Sequence, residues 1–183
     1  MTKASTKTKT GAAAPHRVVE AREPRPDYRA MLEPRAKAKT ERRALLDVNV
    51  LIALLDVDHL HHRRASDWLA DNLAAGWASC AITQNGCIRI MSQPAYPNAL
   101  PTARVAERLR AAASTAHHRF IGGALSLLDP ECFDSERLLG HRAVTDAYLL
   151  GLAVQNDLRL VTFDGALPLQ VVRGATPQHL VNL

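Results

Sequence analysis

The stretch Ala44-Leu45-Leu46-Asp47-Val48-Asn49-Val50-Leu51-Ile52-Ala53-Leu54-Leu55 decides the architecture. Its first three residues are apolar and end at an aspartate, which reads as a short buried strand. Asn49 to Leu55 then reads as a helix entered directly from that strand. The same alternation continues downstream. Leu60 to Ala75 has helical spacing, with Ala65, Leu69 and Leu73 at steps of four. Trp77 to Ile82 reads as a second strand, and Thr83 to Met91 as a short helix stopped by Pro94. Pro94 to Pro101 is a loop, and Thr102 to Ser114 a helix with exposed arginines. Leu125 to Leu128 reads as a strand, Thr145 to Asn156 as a strongly apolar helix, Arg159 to Phe163 as a strand ending at Asp164, and Leu169 to Val172 as a last strand. Strands alternating with helices imply an α/β fold: a three-layer α/β/α sandwich around a central parallel sheet covered on both faces. Right-handed crossovers then gather the C-terminal strand ends on one edge, where ligands of such folds bind.

Upstream of Ala44 the character changes. Residues 1–43 hold 12 Lys+Arg against 5 Asp+Glu, a net +7, whereas residues 44–183 hold 11 against 13, a net −2. Every lysine lies before residue 40, and Pro15, Pro24, Pro26 and Pro34 punctuate the segment. We read 1–43 as a mobile basic tail, with room for a short helix near 35–43, and 44–183 as one folded domain. The tail either attracts nucleic acid by counterion release or is an inert extension. With 47% hydrophobic and 22% charged residues the composition is globular. No apolar run approaches the roughly 20 residues of a membrane span, and the N-terminus lacks the apolar core of a secretory signal. Cys80, Cys87 and Cys132 form no CxxC pair and read as small buried hydrophobes in a reducing cytoplasm.

Three aspartates fall where the ligand-binding edge belongs. Asp47 ends the first strand, Asp164 ends a later one, and Asp146 opens the apolar helix just after Thr145, a plausible N-cap. Each alone has a plain explanation as a turn former or as a complement to a helix dipole. Together, three converging carboxylates repel one another unless a cation sits between them. Oxygen-only ligands suit a hard ion such as Mg²⁺ or Mn²⁺, which can activate water and stabilise charge building on a phosphate.

At this point the chain resembles a known family. Leu45 to Ile52 looks like the opening motif of PIN-domain nucleases. Val144-Thr145-Asp146-Ala147-Tyr148-Leu149-Leu150 resembles their third-acid motif, and Leu160-Val161-Thr162-Phe163-Asp164 their fourth. Asp58-His59-Leu60-His61-His62, Cys80-Ala81-Ile82-Thr83-Gln84-Asn85-Gly86 and Gly140-His141-Arg142 are similar to stretches of VapC-type toxins. The resemblance covers about residues 44–183. It implies a metal-dependent endoribonuclease toxin acting on RNA, a cognate VapB-like antitoxin that blocks the site, and a homodimer. Asp47, Asp146 and Asp164 are then the metal ligands. One position departs from the pattern: the glutamate usual after the second strand is Gln84, which offers a carbonyl oxygen but no charge. Three carboxylates should hold one divalent ion better than two.

The remaining candidates have two readings each. Asn49 either orients Asp47 or caps the first helix. His141 and Arg142 contact substrate phosphate or sit in a solvated loop, and Arg89 contacts phosphate or is an exposed helix residue. His59 and His62 are spaced as a metal pair, but no third soft ligand accompanies them, which favours a surface role at a helix start. Leu149, Leu150 and Ala153 share a face with Asp146 and pack beneath it, and Tyr148 reads as core. Two rivals to a nuclease are a phosphatase of the haloacid dehalogenase type and a non-catalytic PIN-like RNA-binding module. The phosphatase needs a second aspartate where Asn49 stands and a lysine, which residues 44–183 lack. The binding module is permitted by Gln84 and opposed by the three spaced aspartates.

Overall fold

The computed structural model describes residues 42–138, 140–165 and 167–183. The basic segment up to residue 41, with most of the expected helix at 35–43, lies outside the described residues. In chain order the elements are β1 (Ala44–Leu46), α1 (Val48–Leu55), α2 (His62–Asn72), β2 (Trp77–Cys80), α3 (Ala81–Met91), α4 (Thr102–Ala113), β3 (His118–Ile121), α5 (Ala143–Gln155), β4 (Arg159–Thr162) and β5 (Leu180–Asn182). The strands form one sheet in the order β3-β2-β1-β4-β5, and every pairing is parallel.

β1 shows why a fully apolar run serves here. Alternate residues of a strand face opposite sides of the sheet. Ala44 and Leu46 join a cluster with Val50, Leu51, Ile52, Leu69, Trp77 and Met91, whereas Leu45 joins Ala78, Leu149, Leu150, Leu158 and Leu160 on the other side. Both faces are covered, so no polar alternation is needed. The first layer is built from α1 to α4 and the second rests on α5, whose residues 149–153 are all buried. The expected α/β/α sandwich is the observed architecture.

The described residues make tertiary contacts from two residues ahead of the expected boundary at 44. Arg42 Nε donates to Asp157 Oδ1 at 2.5 Å, and its Nη1 to Gln178 Oε1 at 2.7 Å. Arg43 Nη1 donates to the His117 carbonyl at 2.7 Å. Both arginines tie the start of β1 to neighbouring segments.

Two expected strands are displaced. Leu125 to Leu128 is an irregular segment, in which Leu125 and Leu127 pack on the α5 side while Leu128 is 91% exposed. The strand of that region is β3, a sheet edge whose Arg119 and Phe120 are exposed, so its burial pattern carries no apolar signature. Likewise Leu169 to Val172 forms a 3₁₀ turn rather than a strand, with Val171 and Val172 buried, and the last strand is β5. Two helix starts also move. α3 begins at Ala81 rather than Thr83, because the Thr83 hydroxyl folds back to accept from Cys80 N at 3.0 Å and donate to Cys80 O at 3.1 Å. α5 begins at Ala143 with Arg142 at the N-cap, so Thr145 is a first-turn residue and not the cap.

The loop from residue 92 to 101 is held by a buried carboxylate. Asp56, which ends α1 and is 5% exposed, accepts from Tyr96 Oη at 2.5 Å and from Asn98 Nδ2 at 3.0 Å. Burial alone would raise the Asp56 pKa, but these donors and the Asp58 N–H leave it below the ordinary aspartate value.

Candidate active site

The acidic edge lies at the C-terminal ends of the two central strands. Asp47 follows β1 directly and is the N-cap of α1. Its Oδ1 accepts from Val48 N at 2.6 Å, which satisfies one orphan donor of the helix. Asp164 stands two residues past β4, and Asp146 lies in the first turn of α5. Two helix N-termini therefore face this edge with their partial positive charge.

The three carboxylates act on one another. Asp146 is pushed from 3.8 up to about 6, by burial first and then by the charges of Asp47 and Asp164. Asp47 is also raised, by burial above all and by Asp164, against the lowering effect of its hydrogen bonds to Val48 and Thr162. Among the described residues neither Asp47 nor Asp146 has an ion-pair partner. Among the described residues, too, no three His, Cys, Asp or Glu side chains are grouped closely enough to hold a metal ion as they stand. Asp47 is buried, Asp146 half-buried and Asp164 exposed.

Thr162 is the residue that reading the sequence for acids missed. It is 1% exposed. Its hydroxyl donates to Asp47 Oδ2 at 3.1 Å and accepts from Asp164 N at 3.0 Å. One side chain thus orients the carboxylate after β1 and the backbone that carries the acid after β4. The available signal was a hydroxyl residue two positions before the strand-end aspartate.

The other candidates are placed less tightly. Gln84 sits in the first turn of α3, and its Nε2 donates to Ser79 Oγ at 2.9 Å rather than to an aspartate. Asn49 is exposed in the first turn of α1; the cap it was a candidate for is Asp47. His141 and Arg142 are exposed immediately before α5, while Arg89 is exposed in the last turn of α3, the end far from Gln84. His59 and His62 form no metal pair: His62 Nδ1 bonds the Ala53 carbonyl at 2.7 Å, and His59 Nδ1 accepts from His61 N at 3.1 Å. Tyr148 packs against the α5-side core, as expected. Cys80 and Cys87 are buried, and none of the three cysteines is in a disulfide.

The sequence profile of the PIN domain matches residues 44–169. The chain belongs to the PIN-domain family. Within it the chain is of the VapC type. It is 52% identical over 141 residues to a Mycobacterium tuberculosis protein named ribonuclease VapC44, a match spanning 77% of this chain and 99% of that protein. It is 40% identical over 142 residues to ribonuclease VapC38 of the same organism, across 76% of this chain and 99% of the relative. A chain from the crystal structure of VapBC2 from Rickettsia felis, bound to a DNA fragment from their promoter, overlays with a TM-score of 0.47 and 14% identity, covering 76% of this PIN-domain protein and 98% of that chain. No helix among the described residues is long and apolar enough to cross a membrane.

Proposed function

We propose that this PIN-domain protein is a metal-dependent endoribonuclease, the toxin half of a toxin–antitoxin pair. The observation that carries the reading is the 52% identity, across 99% of its length, to a protein named as a ribonuclease. The non-catalytic alternative is disfavoured by the same identity.

The acidic edge supplies the chemistry. Asp47, Asp146 and Asp164 would hold a divalent cation, and their chemistry fits one: oxygen donors only, mutually repelling, with Asp146 lifted to about 6. When bound, Mg²⁺ or Mn²⁺ supplies Lewis-acid activation of water and neutralises charge on the scissile phosphate. Thr162 keeps the Asp47 carboxylate in one orientation, and the start of α1 holds its other oxygen. Gln84 and Asn49 line the surroundings of the carboxylates with neutral polar groups. His141 and Arg142, beside the first turn of α5, and Arg89 on α3 contact RNA phosphates. A VapB-like antitoxin covers the edge, the protein acts as a homodimer, and the unpaired thiols suit the cytoplasm.

The test incubates the full chain and Asp146→Asn with mixed RNA in Mn²⁺, in Mg²⁺ and in EDTA. Cleavage by the parent with either ion, and none in EDTA or by the variant, is the expected result. RNA bound but left intact under every condition would establish a binding module instead.

A further inference from the structure

Gln84 is held from beneath by side chains that lie outside the acidic edge. Ser79, in β2, is fully buried. Its Oγ lies 2.9 Å from Gln84 Nε2 and 2.8 Å from His118 Nε2. His118 opens β3 beside Trp77, whose ring centroid is 4.3 Å away. A polar file therefore runs from an edge strand, through a buried hydroxyl, to the first turn of α3.

The direction of this file follows from donor chemistry. A serine hydroxyl has one proton and an amide nitrogen can only donate. A hydroxyl can accept twice, so the histidine decides the direction: where His118 Nε2 carries no proton, Ser79 spends its only proton there and can only accept from Gln84, which presents its Nε2. The ring proton belongs on Nδ1. A hydrogen bond to the Ala113 backbone is consistent with this, and burial and the nearby Arg43 charge, outweighing that bond, lower the ring's pKa and favour its neutral form. The Gln84 carbonyl oxygen is thereby turned away from Ser79, and among the described residues it has no hydrogen-bond partner. The helix that carries it is pressed against α1: a Cβ on Gly86 would meet Val48 Cγ2 at 2.8 Å, and Val48 is the residue after Asp47.

We propose that Ser79 and His118 are positioning residues, which fix the Gln84 amide with its nitrogen inward and its carbonyl oxygen presented to the acidic edge. The chain thus keeps an oriented neutral oxygen where a carboxylate would add a fourth charge. A glutamate needs no such file, because its two oxygens are equivalent; a glutamine does, because only one end of its amide can face a cation. The catalytic part of this inference rests on the ribonuclease reading, and the structural part does not.

Two measurements on the full chain test it. Long-range ¹H–¹⁵N NMR of the His118 ring should show the Nδ1–H tautomer in the parent protein. An Nε2–H tautomer would reverse the file and overturn the proposal, whatever the protein's activity. Ser79→Ala, Gln84→Ala and the double variant are then compared for RNA cleavage and melting temperature. Ser79→Ala should lower kcat about tenfold with KM unchanged, and should cost nothing further in the Gln84→Ala background. An equal loss in both backgrounds means that Ser79 acts through the fold and not through Gln84, which refutes the positioning role. A parent that cuts no RNA would sink the ribonuclease reading while leaving the tautomer result to stand or fall by itself.

Discussion

Asp146→Asn removes one of three like charges at almost constant volume, and its effect on stability can be worked from the structure. Burial and the charges of Asp47 and Asp164 raise the Asp146 carboxyl from 3.8 to about 6. At about 1.4 kcal/mol for each tenfold change in proton affinity, the ionised group costs the fold about 3 kcal/mol if unscreened. The residue is only partly buried, and solvent screening reduces the cost to about 1–2 kcal/mol. The folded state holds this proton more tightly than the unfolded chain does. The associated stability is therefore complete below pH 3.8 and is lost as the pH rises through about 6. The parent protein should weaken more across that window than the variant, in which the raised Asp47 still titrates. In EDTA at pH 8, Asp146→Asn should be the more stable by about 1–2 kcal/mol, seen as a melting temperature higher by roughly 4 °C. At pH 4 the two should melt together within about 0.5 kcal/mol. Adding Mn²⁺ at pH 8 should narrow or reverse the difference, because only the parent retains all three proposed ligands. Circular dichroism melts and urea titrations at pH 4, 6 and 8 provide the assay. A variant that is less stable at pH 8 without metal, or a gain of equal size at every pH, would refute the reasoning, because neither can come from relief of carboxylate repulsion.

Gln84→Glu adds a fourth carboxylate at nearly the same volume. Calorimetric titration with Mn²⁺ should show one tight site in the parent and a strengthened second site in the variant, with a lower melting temperature in EDTA; unchanged stoichiometry and affinities would show that Gln84 does not limit the charge of the site. Fragments of the chain separate two roles at its N-terminal side. Residues 1–41 carry ten Lys+Arg against five Asp+Glu, so the full chain should bind RNA more tightly than 42–183 at low salt and with a steeper salt slope; equal slopes would make the segment inert. The fragment 44–183 should melt below 42–183, because it loses the Arg42 and Arg43 contacts with Asp157, Gln178 and the His117 carbonyl. Tyr96→Phe withdraws a donor from buried Asp56 and should destabilise the fold by about 1–3 kcal/mol in urea denaturation; a change under about 0.5 kcal/mol would show that Asn98 and Asp58 suffice to satisfy the carboxylate.

The sequence by itself determined the elements that are buried on both faces and the positions of the acids along the chain. β1, β2 and β4 are buried along their whole length under helices on either side, and the apolar residues they carry for that reason are legible without coordinates. Asp47 and Asp164 follow two of those strands and Asp146 opens the buried helix, so their common edge followed from parallel topology alone. The edge strands did not follow. β3 and β5 are half-exposed and carry His118, Arg119 and Asn182, whereas the runs at 125–128 and 169–172, which look more like strands, are an irregular segment with Leu125 and Leu127 half-buried and a 3₁₀ turn with Val171 and Val172 buried. Periodicity reports which residues seek the core; it does not report which backbone pairs to reach it. Side-chain partnerships were decided only by the tertiary structure. Thr162 meets Asp47 across 115 residues of chain, His118 meets Ser79 across 39, and Tyr96 meets Asp56 across 40. Each depends on sheet register or on where a loop comes to rest, and a hydrogen bond a few tenths of an ångström long in its tolerance is set by that register and not by the identity of either residue.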